Sequence, residues 1–303
     1  MSLTLYIVRH GERMDHVEPS FLYTSPTPFD PPLTPKGKRQ AKTTGSFVHT
    51  LQQESISNDT KRNVEYVITT SPFARTSETA IGIAEGIASS DPNSKIKFRV
   101  DSSLAEWHTS AYYAQAVPNS IISKRFEEIH ERNGKDDNSS YPFEVDFSYT
   151  PVLNELPKYP EGIHEVLKRC QKALAGMSSP FIQQIKQDKL SEDTEKSDTH
   201  KVLIFVTHGW CFNVIQEACS KGSGWKEAGF CAVSRAKWIP KEDSEEEGVR
   251  IPDITVSITD EEDSEKSEIE RKNEEAINSL TAVNPDGKWI VDVSAHTEHI
   301  KGI

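Results

Sequence analysis

The chain has 303 residues, of which 47 are acidic and 35 are basic, and its formal net charge is −12 at pH 7. This balance argues against direct binding of nucleic acid, which depends on clustered cations. No apolar run approaches the length of about 20 residues that a membrane-spanning helix needs. We expect one large domain, or one domain with appendages.

The first predicted element is a buried strand over residues 3–8, which is followed by Arg9, His10 and Gly11. In an open α/β sheet, the end of such a strand reaches the carboxyl edge, where ligands bind. An imidazole is a nucleophile at neutral pH, and a guanidinium is a planar donor that fits a phosphate. The pattern therefore predicts phosphoryl transfer through histidine. Three residues alone also fit a histidine that caps a turn beside a solvated arginine.

A helix is predicted near residues 35–53, and a strand followed by another helix comes after it. The strand covers residues 65–70, and the helix near residues 75–88 carries Arg75 in its first turn. The helix dipole disfavours a cation at this end, so an arginine there indicates that an anion binds beside it. The alternative is a surface arginine that pairs with Glu78, one turn further along the helix.

A second such pattern is a helix near residues 161–187 followed by an apolar strand over residues 201–207. This strand again ends in a histidine and a glycine, His208 and Gly209. Two distant strands that both end in His-Gly indicate one shared site, whereas the alternative is that each histidine packs at its own strand end. The alternation of strands and helices predicts an α/β fold of three layers, with a mostly parallel central sheet between two layers of helices.

The last part of the chain combines apolar and acidic stretches. A strand is predicted over residues 230–238, and residues 285–303 are expected to form a last strand or a docking tail. Between them lies an acidic segment, residues 240–284, in which positions 241–275 hold 15 acidic and 5 basic residues, a net charge of −10. Such a composition buries too little apolar surface to offset chain entropy, so we expect disorder. A solvated insertion is favoured over an acidic arm that binds a basic protein partner.

Five groups of residues together form a more specific sequence pattern than any one group does. They are Arg9-His10-Gly11, Leu33-Thr34 with Gly37 and Gln40-Ala41, Ser71-Pro72 with Arg75 and Thr79-Ala80, Leu104-Ala105-Glu106, and Thr207-His208-Gly209. In this order they resemble the histidine phosphatase superfamily, also called the phosphoglycerate mutase-like family. The resemblance extends from the start of the chain to about Trp238 and predicts a histidine phosphatase domain over residues 1–239.

The resemblance implies a role for each matching residue. It implies that His10 is the nucleophile that becomes phosphohistidine. It also implies that Arg9, Arg75 and His208 bind the equatorial oxygens of the phosphoryl group. Glu106 would protonate the leaving alcohol and then activate water. Because clustered cations stabilise the charge in phosphoryl transfer, neither a metal nor another cofactor is expected.

The general acid needs a separate argument. It must be protonated near neutral pH, so its pKa must be raised by burial or by a neighbouring carboxylate. Trp107 is expected to help exclude water from the carboxyl of Glu106. Asp101, Glu12 and Asp15 are alternative acids, and the place of Glu106 in the family's pattern favours it over them.

Arg13 distinguishes the chain from the cofactor-dependent mutases of the family, which usually carry a small polar residue in this stretch. The run from Arg9 to Asp15 is more similar to the branch that contains the suppressor-of-T-cell-receptor-signalling (TULA) phosphatases and the ecdysteroid-phosphate phosphatases. On this resemblance, Arg13 would add a donor to the phosphate pocket. The alternative is a surface residue that pairs with Asp15.

Members of the family insert a variable cap where residues 107–160 stand, and this stretch is rich in aromatic side chains here. An aromatic-lined cap would favour phosphotyrosine, a phosphorylated lipid-like alcohol or a nucleotide. The alternative, which is favoured for most of these rings, is that they form the core of the cap itself.

The leading interpretation is a metal-independent phosphomonoesterase that acts on a phosphorylated small molecule or a phosphoprotein. A phosphomutase is disfavoured by Arg13. An alternative from another class is a weakly catalytic scaffold or complex subunit that retains the fold, such as a transcription-factor component. The intact set of candidate catalytic residues argues against this alternative, and a homodimer stays open.

The cysteines and the start of the chain bear on the compartment. The four cysteines lack the paired spacing of a metal site, so we expect reduced, buried thiols. The strand over residues 3–8 leaves no room for a cleavable signal. We therefore expect a cytoplasmic or nuclear protein with no membrane partner.

Overall fold

The computed structural model of the protein describes residues 2–56, 63–133, 141–190, 199–220, 224–241 and 287–303. Nearly all of the predicted acidic segment, from residue 242 onwards, lies outside these described residues. The strands are β1 Leu3–Arg9, β2 Asn63–Thr70, β3 Lys95–Val100, β4 Glu144–Val145, β5 Thr199–Thr207, β6 Val233–Pro240 and β7 Gly287–His296. The helices are α1 Met14–Val17, α2 Phe21–Thr24, α3 Pro35–Ser55, α4 Ala74–Ser90, α5 Ser120–Asn133, α6 Ile163–Leu190 and α7 Gly209–Cys219.

These strands form one sheet in the order β4-β3-β2-β5-β1-β6-β7. Neighbouring strands from β4 to β1 in this order are parallel. The last two are antiparallel, since β6 pairs with β1 and β7 pairs with β6. The prediction of a mostly parallel central sheet is confirmed.

Helices cover both faces of the sheet and give it three layers. On one face, α6 and α7 bury side chains such as Leu167 and Phe212 against Leu5 of β1. On the other face, α3 and α4 bury side chains such as Val48 and Ile83 among residues of β2 and β5. This is the predicted three-layer arrangement, and burial of both faces explains why the central strands are apolar along their whole length.

Helices α3 and α4 cross closely because glycines take the place of side chains at the contact. A Cβ atom on Gly45 would lie 2.1 Å from the carbonyl oxygen of Ile83, and one on Gly86 would lie 2.1 Å from that of Lys42. Neither position has room for a larger residue. The crossing fixes the direction of α4, which carries Arg75 in its first turn.

The structure differs from the prediction in its smaller strands. The strand β3 is absent from the predicted elements, although Ile96, Phe98 and Val100 alternate there with lysine and arginine, the pattern of a half-buried strand. The predicted strand near residues 230–238 begins only at Val233, because Cys231 has a φ of 53° that interrupts extended backbone. Residues 287–296 form β7 at the edge of the sheet, so a strand is the correct alternative for this part of the chain.

The remaining observations concern the cysteines and the helices. All four cysteines are free and buried, as predicted. None of the described helices combines the length and apolar surface that crossing a lipid bilayer requires. The helices predicted near residues 35–53, 75–88 and 161–187 correspond to α3, α4 and α6, whose ends differ by about three residues or fewer.

Candidate active site

The candidate site lies where β1 and β5 end side by side. The two strands are parallel, with Arg9 paired to Thr207, so His10 and His208 emerge next to each other at the carboxyl edge of the sheet. The backbone amide of His10 donates to the carbonyl oxygen of Thr207 at 3.0 Å. The two imidazole centroids are 5.5 Å apart, with 65° between the ring planes. The structure thus brings together the two histidines that follow the predicted strands.

His10 is buried, and one of its ring nitrogens has a fixed role. Its Nδ1 lies 2.9 Å from the carbonyl oxygen of Gly11, which can only accept, so Nδ1 carries the proton. The lone pair is therefore on Nε2. Burial lowers the pKa of His10 well below 6.5, and the positive charges of Arg75 and Arg9 lower it further. The imidazole is accordingly neutral and nucleophilic at neutral pH.

The turn after His10 depends on two glycines. A Cβ atom on Gly11 would lie 2.8 Å from the carbonyl oxygen of Gly37, and one on Gly37 would lie 2.2 Å from that of Glu12. The amide of Gly11 donates to the hydroxyl of Thr79 at 3.0 Å. Close backbone approach therefore explains why glycine and threonine occupy these positions in the matched pattern.

Arg9 contributes a guanidinium whose orientation is fixed by its neighbours. Its Nη1 donates to the carbonyl oxygen of Ala228, and the group lies over the ring of Phe230 with its central carbon 5.0 Å from the centroid. A Cβ atom on Gly209 would be 3.3 Å from Nε of Arg9. The glycine at the start of α7 thus gives Arg9 the space to lie along the cleft.

Arg75 is almost fully buried, with 1% of its surface exposed. Its Nη2 donates to the hydroxyl of Tyr113 at 3.3 Å, and its guanidinium lies over the ring of Phe73. The buried Nε and Nη1 have no hydrogen-bond partner among the described residues. The alternative pairing with Glu78 is wrong, because that carboxylate accepts from the amide of Leu33 at 2.7 Å and forms an ion pair with Lys38 at 3.3 Å. Buried guanidinium donors without a protein partner are suited to an oxyanion.

His208 lies between Ser71 and the carboxyl of Glu106. Its Nε2 shares a 3.0 Å hydrogen bond with the hydroxyl of Ser71, and its Nδ1 is 3.7 Å from Oε2 of Glu106. Burial lowers its pKa well below 6.5, and the charge of Arg75 adds to this effect. The hydrogen bond to Ser71 fixes which edge of the buried ring faces Glu106.

Glu106 is a lining residue of the cleft, and 13% of its side chain is exposed. Burial raises the pKa of this carboxyl above 4.5, while the charges of Arg75 and Arg9 and a hydrogen bond from the amide of Trp107 oppose the shift. That bond is 3.0 Å long. The net upward direction is the one that a general acid requires.

The other acids considered from the sequence occupy different environments. Asp101 accepts hydrogen bonds from the amides of Ser103 and Val152 at 2.8 and 2.7 Å, and it is not a lining residue of the cleft. Glu12 accepts from the hydroxyl of Thr34 at 2.9 Å. Asp15 does line the cleft, but it forms an ion pair with Arg13. The hydrogen bonds of Asp101 and Glu12, and their absence from the lining of the cleft, therefore distinguish these two acids from Glu106.

Arg13 pairs with Asp15, as one interpretation of the sequence expects, and it also lines the cleft. Its Nε lies 3.0 Å from Oδ1 of Asp15, and the side chain also lines the cleft with Arg9 and Arg75. Burial and the charge of Arg75 lower the pKa of Arg13, whereas Asp15 opposes this shift. The ion pair holds a third guanidinium close to the other two.

The cleft has a volume of about 590 Å³. Its floor includes His10 and the three arginines Arg9, Arg13 and Arg75, and aromatic and aliphatic side chains form its rim. His208 contacts this group from behind and is not a lining residue of the cleft. The rim includes Trp210 and Trp225, whose ring centroids are 5.1 Å apart. Apolar and aromatic residues of the rim are Leu22, Phe29, Tyr112, Tyr113, Trp210 and Trp225.

Two of these rim residues lie outside residues 107–160, the predicted aromatic cap. Trp210 lies in the first turn of α7 and Trp225 follows the end of this helix, whereas the aromatic cap is predicted over residues 107–160. From that region Tyr112 and Tyr113 line the cleft. Most other rings there pack elsewhere, as the ring of Phe143 does in the core. In the sequence, the position of Trp210 directly after His208 and Gly209 is the feature that indicates a place beside the site.

No group of three or more histidine, cysteine or acidic side chains is placed to hold a metal ion within the described part of the chain.

Comparisons with known proteins give the following matches. Residues 5–222, well over half of the chain, match the sequence profile of the histidine phosphatase superfamily (branch 1). A search of the curated proteins found no significant match. Among solved structures, ecdysone phosphate phosphatase from Bombyx mori is 18% identical with a TM-score of 0.49, over 77% of this chain and 88% of that one. A mycobacterial glucosyl-3-phosphoglycerate phosphatase is 15% identical with a TM-score of 0.44, over 97% and 99%. Phosphoglycerate mutase from Bacillus anthracis is 19% identical with a TM-score of 0.35, over 78% and 88%.

Proposed function

The chain belongs to branch 1 of the histidine phosphatase superfamily, and from this membership we propose that it is a phosphomonoesterase that acts through a phosphohistidine on His10. The observation that carries the proposal is the 2.9 Å hydrogen bond between Nδ1 of His10 and the carbonyl oxygen of Gly11. It fixes the proton on Nδ1 and leaves the lone pair of Nε2 for attack on phosphorus.

In the first step, Nε2 of His10 attacks the phosphorus atom while the bond to the leaving oxygen breaks. The lowered pKa of His10 keeps its lone pair available. Glu106 transfers its proton to the leaving oxygen, and the raised pKa of its carboxyl supports this role. The alcohol departs, and the phosphoryl group remains on His10.

In the second step, water occupies the place of the departed alcohol. The carboxylate of Glu106 accepts a proton from this water as its oxygen bonds to phosphorus. The nitrogen–phosphorus bond breaks and its electron pair returns to Nε2 of His10. Inorganic phosphate leaves, and both residues regain their initial protonation. Two displacements through a nucleophile replace one difficult attack by water.

Positive charge around the phosphoryl group is supplied by the protein itself. Arg75 has two buried nitrogens that no described residue bonds, and Arg9 and Arg13 line the same cleft. We propose that these guanidinium groups and His208 bind the three equatorial oxygens and stabilise the charge that develops on them. On this basis the reaction needs no metal ion.

We propose that the side chains at the rim of the cleft, rather than those at its floor, select the substrate. Aromatic residues such as Tyr112, Trp210 and Trp225 line the same cleft as His10 and Glu106. We propose that the alcohol carries an aromatic or otherwise apolar group. Arg13 in the cleft supports hydrolysis rather than mutase chemistry, since the mutases of the family usually carry a small polar residue in that stretch.

The test is phosphate release from p-nitrophenyl phosphate in the presence of EDTA by wild type, His10→Ala and the matched variant His49→Ala. His49 bonds the hydroxyl of Tyr66 at 3.0 Å and is not a lining residue of the cleft. We expect turnover that EDTA does not change, no turnover in His10→Ala, and normal turnover in His49→Ala. Rapid quenching with alkali, in which phosphohistidine is stable, should trap this intermediate on the wild type and on His49→Ala but not on His10→Ala.

Residual activity of His10→Ala within about tenfold of wild type would disprove the nucleophile, because loss of a covalent catalyst costs far more than that. Loss of turnover with EDTA would disprove metal independence. Movement of phosphate within a bisphosphate or phosphoglycerate substrate, without release, would identify a mutase instead.

A further inference from the structure

We propose that Arg169 is a positioning residue that places the carboxyl of Glu106 for proton transfer, an inference that rests on the acid–base role proposed above for Glu106. Arg169 lies on α6, outside the cleft, and 7% of its side chain is exposed. It belongs to none of the motifs in the sequence, and its contacts with the chain around Glu106 are long-range.

The guanidinium of Arg169 binds the backbone on which Glu106 stands. Its Nη1 donates to the carbonyl oxygens of Ser103 and Ala105, both at 2.8 Å. Its Nη2 is 3.4 Å from the carbonyl oxygen of Glu106 itself. A single side chain therefore contacts three carbonyl groups within four consecutive residues.

Glu161 completes the contact from the other side. Its two carboxylate oxygens accept from Nε and Nη2 of Arg169 at 2.7 and 2.8 Å. Its carbonyl oxygen accepts from the indole nitrogen of Trp107 at 2.9 Å, and its amide donates to the carbonyl oxygen of His108 at 2.7 Å. The ion pair of Arg169 and Glu161 thus binds the chain both before and after Glu106.

This support matters because the stretch has little regular structure of its own. Residues 105–108 lie in neither a helix nor a strand. Oε1 of Glu106 accepts from the amide of the next residue, Trp107, at 3.0 Å, so the carboxyl follows the local backbone. Displacement of a catalytic group by about 1 Å can cost about 100-fold in rate.

Arginine is required at this position for a geometric reason. Contact with two carbonyls and a bidentate carboxylate at once needs a planar group with donors in several fixed directions. A lysine keeps the charge beside Glu161 but has a single ammonium, which cannot reach all these oxygens. Arg169→Lys therefore weakens the support of Glu106 without leaving a buried carboxylate unpaired, which would cost much more stability.

The test uses leaving groups that differ in their need for a proton. p-Nitrophenolate leaves readily without protonation, whereas the alkoxide of glycerol 2-phosphate does not. We expect Arg169→Lys to lower kcat/KM for glycerol 2-phosphate by about 10- to 100-fold. We expect a change of less than about threefold for p-nitrophenyl phosphate. The ratio kcat/KM reports the first chemical step, in which Glu106 is the acid.

Two reference variants make the result specific. Glu106→Gln should show the same selective loss, and Arg169→Lys should add little to it in the double variant. Arg235→Lys is the matched structural control. Arg235 on β6 makes a bidentate ion pair with Asp292 on β7, at 2.8 and 2.7 Å, and neither residue lines the cleft. This control variant should leave the ratio between the two substrates unchanged.

The outcomes separate this inference from the function on which it rests. Equal losses on both substrates, or no loss, would overturn the role of Arg169 while Glu106→Gln still showed selectivity. If Glu106→Gln itself lacked selectivity, the proposed acid would fail first. If Arg169→Lys did not fold, the double variant Arg169→Gln with Glu161→Gln, which removes both charges, would be measured by the same criteria. Failure of both to fold would assign Arg169 to the fold alone and overturn the proposal.

Discussion

The imidazole rings of His10 and His208 lie 5.5 Å apart, edge to face, at the ends of two neighbouring parallel strands. Both rings are buried, and both have pKa values well below 6.5, with Arg75 as the largest charge effect on each after burial. Two neutral imidazoles can lie this close without repulsion. Their shared electrostatic environment governs how the site should respond to pH and to anions.

The dependence of kcat/KM on pH tests the pKa directions. An unperturbed histidine gains a proton as pH falls through about 6.5 and then loses its nucleophilic lone pair. Because the pKa of His10 is lowered, we expect kcat/KM to persist as pH falls through 6.5 and to decline only at lower pH. Glu106 must keep its proton, so activity on glycerol 2-phosphate should fall as pH rises above the raised pKa of this carboxyl. An acidic limb centred at or above 6.5, after correction for ionisation of the substrate, would contradict this.

Glu106→Gln provides the control for that profile. The variant cannot titrate at this position, so the alkaline limb for glycerol 2-phosphate should disappear while the acidic limb from His10 stays in place. An unchanged alkaline limb would show that another group is the acid, and Asp15, which lines the same cleft, would be the next residue to test.

Arg75→Lys should weaken the binding of oxyanions. Arg75 has two buried nitrogens without a protein partner, and lysine replaces its fork with one ammonium. We expect affinity for orthophosphate to fall by about tenfold or more, and kcat/KM for p-nitrophenyl phosphate by about 100-fold. Titration calorimetry measures the first effect. Arg99→Lys is the control, since Arg99 pairs with Asp146 at 2.7 Å in another part of the fold, and it should bind phosphate normally.

Trp225→Ala tests the contribution of the rim to substrate choice. The ring is 49% exposed and borders the cleft. A contact between aromatic groups contributes about 0.5–1.5 kcal/mol, so KM for p-nitrophenyl phosphate should rise about two- to tenfold. KM for glycerol 2-phosphate should not change. Phe147→Ala, which removes an exposed ring outside this cleft, should affect neither substrate, and equal effects on both substrates would exclude the rim as the basis of selectivity.

Gly86→Ala tests the crossing of α3 and α4. The added Cβ would lie 2.1 Å from the carbonyl oxygen of Lys42, so the helices must separate. We expect the free energy of unfolding to decrease by about 1–3 kcal/mol, as measured by denaturation with urea. At Gly162 the nearest atom to a Cβ is 3.2 Å away, at the end of the flexible Glu165 side chain. Gly162→Ala should therefore change stability by less than about 0.5 kcal/mol.

The central part of the fold and the floor of the cleft were accessible from the sequence. Long apolar strands and the His-Gly pairs at two of their ends are local signals, and parallel neighbours bring such ends together. Arg75 was accessible for a similar reason, because an arginine in the first turn of a helix needs an explanation. The β3 strand also carries a local signal, the alternation of Ile96, Phe98 and Val100 with charged residues.

Other features depend on contacts that no local pattern contains. Asp101 and Glu106 are both acids in a short irregular stretch, and only their hydrogen-bond partners distinguish a structural carboxylate from one that faces the cleft. Trp225 reaches the rim because Asn213 bonds the backbone of Lys226, with its Nδ2 3.0 Å from the carbonyl oxygen and its Oδ1 2.9 Å from the amide. Arg169 contacts Glu106 from a helix that begins more than fifty residues later in the chain.

The central position of β1 has a consequence for synthesis of the protein. This strand lies between β5 and β6, whose residues 199–240 are translated much later. At about 5–20 residues per second, the ribosome needs about 10–40 seconds to reach them. During that interval β1 has no partner on either side, and its apolar surface must be shielded in the growing chain. The cleft itself cannot form until β5 and β6 have emerged, so a nascent chain that stops before residue 199 should depend on chaperones and be inactive.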